Sequence, residues 1–212
     1  MPGLFISLEG LDFCGKTVQW QRLRDTLEAA GYPVVAVREP GGTKISEAVR
    51  SILLDADHSA MTPRAEILLY SAARAQIVYE IIQPALQQNK IVIADRFADS
   101  TTAYQGHGRK IDLGFVLRIN EFAINGVLPN VTFFIDVPIE VAAERRHRAG
   151  RGADRLESED LAFHERVREG YLAIARESAG RLVSIDGERS IEAIAAQIGE
   201  YLRTKFGLKI GG

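Results

Sequence analysis

Gly10-Leu11-Asp12-Phe13-Cys14-Gly15-Lys16-Thr17 fits the pattern Gly-x-x-x-x-Gly-Lys-[Ser/Thr], and it leaves the chain around it little choice of architecture. The pattern works only where a strand ends and a helix begins. There the glycines let backbone N–H groups turn inward on oxyanions, and the helix presents its positive dipole end to them. Leu4–Leu8 reads as that strand, and an amphipathic helix is expected from Lys16. Residues 10 to 17 are therefore read as a phosphate loop for a nucleoside triphosphate, with Lys16 on the β- and γ-phosphates and Thr17 on Mg²⁺.

The rest of the chain repeats this rhythm. Short apolar runs recur at Leu4–Leu8, Val34–Val37, Ile91–Ala94, Val131–Val137 and Leu182–Ile185, with helical patterns between them. Strands buried on both faces read as such runs, so the expectation is a three-layer α/β P-loop NTPase fold, a five-stranded parallel sheet with helices on both faces. A length of 212 residues suits one domain spanning residues 1–212. The final helix is the plainest, with Ser190 as its cap, Glu192 in its first turn and Ile191, Ile194, Ile198 and Leu202 as one apolar stripe.

A formal net charge of −2 gives no global pull toward nucleic acid or anionic lipid, so a small ligand is expected and neither partner is. Before Leu4 there is no basic segment with a long apolar stretch, and no apolar run approaches membrane-spanning length; a cytoplasmic protein is expected. The one cysteine, Cys14, lies inside the phosphate loop and offers neither a disulfide framework nor a cysteine metal site. It reads as a small residue that fits, or as a thiol that bound ATP would shield.

Ligands of a parallel sheet gather at the carboxyl ends of its strands. Those ends are polar here: Glu9 and the phosphate loop, then Arg38-Glu39-Pro40-Gly41-Gly42-Thr43, then Asp95-Arg96 followed by Ser100, Tyr104 and Gln105. Asp95 is placed to organise Mg²⁺ beside Thr17, or to cap the following turn. Arg96 next to it can grip phosphate oxygens with two parallel hydrogen bonds. The run from Arg145 to Arg155 is basic and glycine-punctuated. It reads as a solvated helix end or as an arginine-rich lid, approximately residues 145–157, that closes on transferring phosphate; the other elements favour the lid.

Taken in order, Phe5–Gly10, Lys16-Thr17-Val18-Gln19, Arg38–Thr43, Leu68–Gln76, Asp95–Gly106 and Asp154-Arg155-Leu156-Glu157 resemble the bacterial thymidylate kinases across nearly the whole chain. Asp-Arg-Phe followed by Ser-x-x-x-Tyr-Gln-Gly is the most specific block. The resemblance implies transfer of the ATP γ-phosphate to dTMP, with Mg²⁺, by a homodimer whose shared face falls near Met61–Ala85 and Leu113–Ile124. It implies a dTMP site of Asp12 on the 3′-hydroxyl, Tyr70 stacked on thymine, Arg74 on a base carbonyl, Ser100 and Gln105 completing the pocket, and Tyr104 crowding a ribose 2′-hydroxyl. Arg50 and Arg96 would bind the acceptor phosphate, and Glu39 would join Thr17 and Asp95 around the metal. Lys16, Asp95, Arg96 and the lid residues Arg148 and Arg151 would carry catalysis, with Arg155 locking closure. Three departures stand out: Phe13-Cys14 where relatives carry small residues or a catalytic arginine, Val18 for a common Thr, and Tyr70 for a usual Phe. Since Phe13 cannot stabilise charge, that task is expected of the lid. A GTPase switch would share the loop, but the guanine-reading Asn-Lys-x-Asp segment is missing.

Overall fold

The computed structural model describes residues 2–150 and 154–211. Five strands, β1 (Leu4–Glu9), β2 (Val34–Arg38), β3 (Ile91–Asp95), β4 (Val131–Asp136) and β5 (Leu182–Asp186), form one parallel sheet in the order β2-β3-β1-β4-β5. All five apolar runs become strands. Four of them extend one residue further than the apolar pattern, to Glu9, Arg38, Asp95 and Asp186, because backbone ladder pairing continues past the last apolar side chain. β4 stops one residue short of Val137.

The chain leaves β1 toward β2 and β3 on one side and returns to β4 on the other, so β1 is central and its carboxyl end opens into the crevice where the winding reverses. Register brings three strand ends level, since Leu8 pairs with Asp95 and Asp95 with Arg38. Period-two alternation divides β1 between two cores. Leu4, Ile6 and Leu8 join one with Leu23, Phe133 and Val167; Phe5 joins the other with Ile77, Val92 and Phe97. Ser7 and Glu9, also fully buried, carry polar atoms onto the Phe5 face beneath the crevice.

Helices α1 (Lys16–Ala29), α2 (Lys44–Leu54), α3 (Pro63–Ile77), α4 (Gln83–Gln87), α5 (Ala98–Thr101), α6 (Leu113–Ile124), α7 (Ile139–Ala149), α8 (Leu161–Glu177) and α9 (Ile191–Phe206) cover the sheet. Thr43, Thr62, Asp112, Asp160 and Ser190 each cap a helix by accepting a backbone N–H, a bond worth about 1 kcal/mol apiece. In α9, Ile194, Ile198 and Leu202 are buried as the stripe requires; Ile191, in the first turn, is 44% exposed. The helical pattern near Met61–Ala85 is not one regular helix. A π turn at Val78–Ile82 separates α3 from α4, just ahead of Pro84, which has no N–H to continue an α-helical ladder.

The basic segment joins a helix end to a turn. Residues 145–149 are the last turn of α7, ended by Gly150 in the left-handed region (φ 65°), where glycine has no Cβ to clash. Asp154 to Ser158 then form a turn whose N–H groups at Leu156 and Glu157 are held by the Asp154 carboxylate, both at 2.9 Å. Arg151 lies outside the described residues.

Candidate active site

The phosphate loop is shaped by close approach and backbone handedness. A Cβ on Gly10 (φ 147°) would sit 2.7 Å from both Cys14 Sγ and the Ile135 carbonyl oxygen. Phe13 adopts φ 63° without being glycine, a backbone state that the surrounding fold must impose. α1 begins at Lys16 with no side-chain cap, so its first N–H groups remain directed into the loop. Lys16 Nζ donates long bonds to the Leu11 carbonyl (3.4 Å) and Asp12 Oδ1 (3.3 Å). The Thr17 hydroxyl donates to Asp95 Oδ2 at 2.9 Å, so hydroxyl and carboxylate stand together as expected.

A cleft of about 560 Å³, open mouth included, lies beside the loop. Asp12, Glu39, Arg50, Tyr70, Arg74, Arg96, Ser100, Tyr104 and Gln105 all line it. Arg96, in the left-handed region at φ 71°, lies at its centre. Its Nη2 donates to Asp12 Oδ1 (2.6 Å) and Tyr104 Oη (3.2 Å), and its Nη1 to the Gly10 carbonyl (2.8 Å), Ser100 Oγ (3.2 Å) and Tyr171 Oη (3.4 Å). The guanidinium also lies over the Tyr104 ring. Burial pushes the Asp12 carboxyl up, but Arg96 and Lys16 outweigh it and hold it well below the usual carboxylate range.

Beneath Arg96, Glu9 gathers four donors, the longest of them from Ser7 Oγ to its Oε1 at 3.5 Å. Its Oε1 accepts from Phe97 N (2.6 Å), and its Oε2 from Ser100 Oγ (2.5 Å) and Tyr171 Oη (2.8 Å). Burial foremost, and then the charge of Asp99, push its carboxyl up to about 7 against the pull of Arg96. Burial likewise pushes up the hydroxyls of Tyr70, Tyr104 and Tyr171, which stay neutral.

Several expected positions change. Arg74 is buried with its fork occupied: Nε bonds Glu39 Oε2 (2.8 Å), Nη1 bonds Thr101 Oγ1 (2.8 Å) and Asn120 Oδ1 (3.2 Å), and Nη2 bonds the Phe97 carbonyl (3.0 Å). It sets Glu39 in the wall of the cleft rather than offering free donors to a base. Glu39 in turn is bound to Arg74 and does not join the Thr17–Asp95 pair; its other oxygen, Oε1, is buried without a partner. Among the described residues no group of three or more His, Cys, Asp and Glu is arranged to hold a metal.

In the lid, Arg148 is 70% exposed and paired with Glu144, outside the cleft. The arginines that α7 brings to the phosphate loop are others. Arg145 bridges the Cys14 and Gly187 carbonyls, at 3.0 Å each. Arg146 donates to the Glu157 carbonyl and shares a second hollow with Leu11, Asp12 and Phe13. Arg155 is buried, its Nε on the Leu53 carbonyl (2.9 Å) and its Nη1 on Glu66 Oε2 (2.5 Å), which pins the turn after α7 to α2 and α3. Cys14 is buried in the core, and burial raises its thiol, so it packs as a small residue.

Sequence reasoning gave no role to Glu66, Thr101, Asn120 and Tyr171, and held Asp154 and Leu156 only as members of the Asp154–Glu157 block. Glu66 carried a signal: with Tyr70 and Arg74 it falls at i, i+4, i+8, one face of α3. Asp154 and Leu156 line the cleft from the turn after α7. Tyr171, on α8, lies buried behind it against Arg96 and Ser100, and nothing in its local sequence announces that.

The comparisons with known proteins agree in direction. The family described as thymidylate kinase matches residues 8–198. The chain is 47% identical to the thymidylate kinase of Citrifermentans bemidjiense over 208 residues, covering 96% of this chain and 92% of that one. It is 45% identical to that of an Exiguobacterium species over 201 residues, covering 95% and 94%. A crystal structure of thymidylate kinase from Ehrlichia chaffeensis superposes with a TM-score of 0.79 at 34% identity, covering 96% of this chain and 99% of that one.

Proposed function

The chain belongs to the thymidylate kinase family, and from that premise we propose which of its residues carry the reaction. The activity is that of an ATP-dependent nucleotide kinase that phosphorylates dTMP to dTDP. An oxygen of the dTMP phosphate forms a bond to the γ-phosphorus in line, the bond to the β–γ bridging oxygen breaks, and its electron pair leaves with ADP. The attacking oxygen is already anionic, so no side chain has to remove a proton. What remains for the protein is alignment and neutralisation of charge.

The phosphate loop backbone and Lys16 cradle the ATP phosphates, Lys16 exchanging its long contacts with Asp12 and Leu11 for phosphate oxygens. Arg50 and Arg96 take the acceptor phosphate. Arg50, at the cleft wall, donates to the Pro40 carbonyl (2.9 Å) and, among the described residues, to no other group; Arg96 is braced from below by Ser100 and Tyr171. Tyr70 stacks on the base, Gln105 reads its edge, and Tyr104, its hydroxyl committed to Arg96 and Asp12, closes the sugar side. The Thr17 hydroxyl and Asp95 carboxylate suit Mg²⁺, a hard ion that takes most of its ligands from phosphate and water. A metal ion held there would supply neutralisation of phosphate charge.

The observation that carries this reading is the gathering of nine acceptor-side residues from five segments of chain around one cleft that shares Asp12 with the phosphate loop. ADP production from ATP·Mg, with dTMP, dUMP, thymidine, dCMP and GMP compared as acceptors, tests it. Strong preference for dTMP is expected; preference for unphosphorylated thymidine or another monophosphate would overturn the acceptor assignment. We also assign the enzyme to the cytoplasm, which holds both substrates, and pair it as a homodimer through α3 and α6. Leu68 on α3 and Phe115, Leu117 and Phe122 on α6 are exposed there, Phe122 by 86%, more apolar area than a solvated helix pair needs to show. A monomer mass by light scattering at micromolar concentration would remove the pairing.

A further inference from the structure

We propose that Glu66 is a specificity-determining positioning residue: it fixes the Gln105 amide with its nitrogen turned away from the cleft and its oxygen toward it, so that the cleft selects a base with a ring N–H at that edge. The inference rests on reading the cleft as the dTMP site. Glu66 is fully buried, and each of its oxygens serves two donors. Oε1 accepts from Gln105 Nε2 (2.9 Å) and Arg109 Nε (3.1 Å); Oε2 accepts from Arg109 Nη2 (3.0 Å) and Arg155 Nη1 (2.5 Å). Burial alone would push the Glu66 carboxyl up, but the bonds from Arg109 and Gln105 and the charge of Arg109 bring it below its ordinary value. It is therefore ionised at neutral pH and can only accept.

A glutamine amide offers a donor end and an acceptor end, and a carboxylate at 2.9 Å takes only the donor. The flipped amide would set two acceptor oxygens against each other in a buried place, with Nε2 pointing into the cleft instead. With Nε2 engaged, Oε1 is the end left for the ligand, and Gln105 lines the cleft. Thymine and uracil carry a hydrogen on N3 that such an oxygen can accept; cytosine has a bare lone pair there and is repelled. The polarity of the reader is thus set by the residue behind it.

Glu66→Gln tests this, because its own amide can face Gln105 with either end. The expected result is a fall of at least ~10-fold in the dTMP-to-dCMP ratio of kcat/KM, since a fixed polar partner is what makes such discrimination steep. The same variant loosens Arg155 and with it the turn after α7, which would slow both acceptors alike. An unchanged ratio with slower turnover would therefore overturn the proposal and leave Glu66 a purely structural anchor. Should the variant not fold, neutron diffraction of the wild-type complex with dTMP locates the amide deuterons directly. Deuterons facing Glu66 support the proposal, and deuterons facing the base overturn it. A wild type that does not phosphorylate dTMP would remove the underlying reading as well, a result visible before any variant is made.

Discussion

The acceptor cleft and helix α7 both carry arginines and use them in opposite ways. In the cleft, Arg74 and Arg96 are sunk among partners drawn from the phosphate loop, the loop after β2, α5, α6 and α8, and nearly every donor of each fork has a fixed acceptor. Along α7, Arg148 stands in solvent against one carboxylate of its own helix, and Arg145 and Arg146 bond backbone carbonyls. The difference separates recognition from accommodation. A base and a sugar of fixed shape reward a cavity whose polar atoms are already aimed, because little ordering is then left to be done on binding. A segment that must admit ATP is better served by exposed, loosely paired charges.

If that contrast holds, Arg96 gives the largest effect. Arg96→Ala should lower kcat/KM for dTMP by at least ~10²-fold, about 3 kcal/mol of transition-state stabilisation, with the fold retained. Arg96→Lys should recover little of it, since an ammonium cannot span Asp12, Gly10 and a phosphate as the planar fork does. Steady-state kinetics at saturating ATP decide the matter. Near-normal turnover in the Ala variant would mean that the pre-aimed fork does no work on the phosphate, and the comparison between the two regions would lose its better half.

The floor of the cleft offers a second, smaller effect, read as stability. The Glu9 carboxyl is raised from 4.5 to about 7 in the folded protein. Between those values the folded state keeps a proton that the unfolded chain has released. Stability should therefore fall as pH rises through that window and level off above it, by up to about 3 kcal/mol. Urea unfolding at pH 5 and pH 7.5 measures this slope, and Glu9→Gln, which cannot ionise, should flatten it. A slope that persists unchanged in the variant would assign it to other groups. Asp12 acts in the opposite sense: its folded carboxyl lies below the ordinary value, so its contribution is present above that value and is lost only in acid.

These two carboxylates, three residues apart, show what a sequence displays and what it hides. Asp12 belongs to a recognisable loop, and its neighbourhood with Lys16 follows from the tight turn of that loop. Glu9 could be seen only as a polar strand end; its partner Tyr171 lies 162 residues away and its raised carboxyl depends on how that helix packs. The strands were legible because a parallel sheet buried on both faces demands continuous apolar runs. The residues that line the cleft were legible as one group because their spacing matched a known block. Helix α7 was harder to follow: from Glu144 to Arg148 no apolar residue marks a buried face, so a charged helical end and a loop look alike. The left-handed backbone at Phe13 and Arg96 had no local signal either, since neither is glycine and the state is enforced by contacts from elsewhere.

The smallest effect should come from Arg148, and it separates the two regions most sharply. An exposed pair four residues apart on a helix is worth only about 0.3–0.5 kcal/mol, so Glu144 is a weak tether. What keeps Arg148 from the cleft is the face of α7 that it occupies. Arg145 and Arg146 take the face turned toward Cys14 and Phe13, and Arg148 shares its side with Glu144. Arg148→Ala is therefore expected to change kcat by less than ~3-fold and to leave the KM for both substrates nearly unaltered. A loss approaching that of Arg96→Ala would show that the end of α7 unwinds or rotates during turnover and delivers this guanidinium to the transferring phosphoryl group. The exposed charges of α7 would then be catalytic reach held in reserve, and accommodation and recognition would no longer be divided between the two regions.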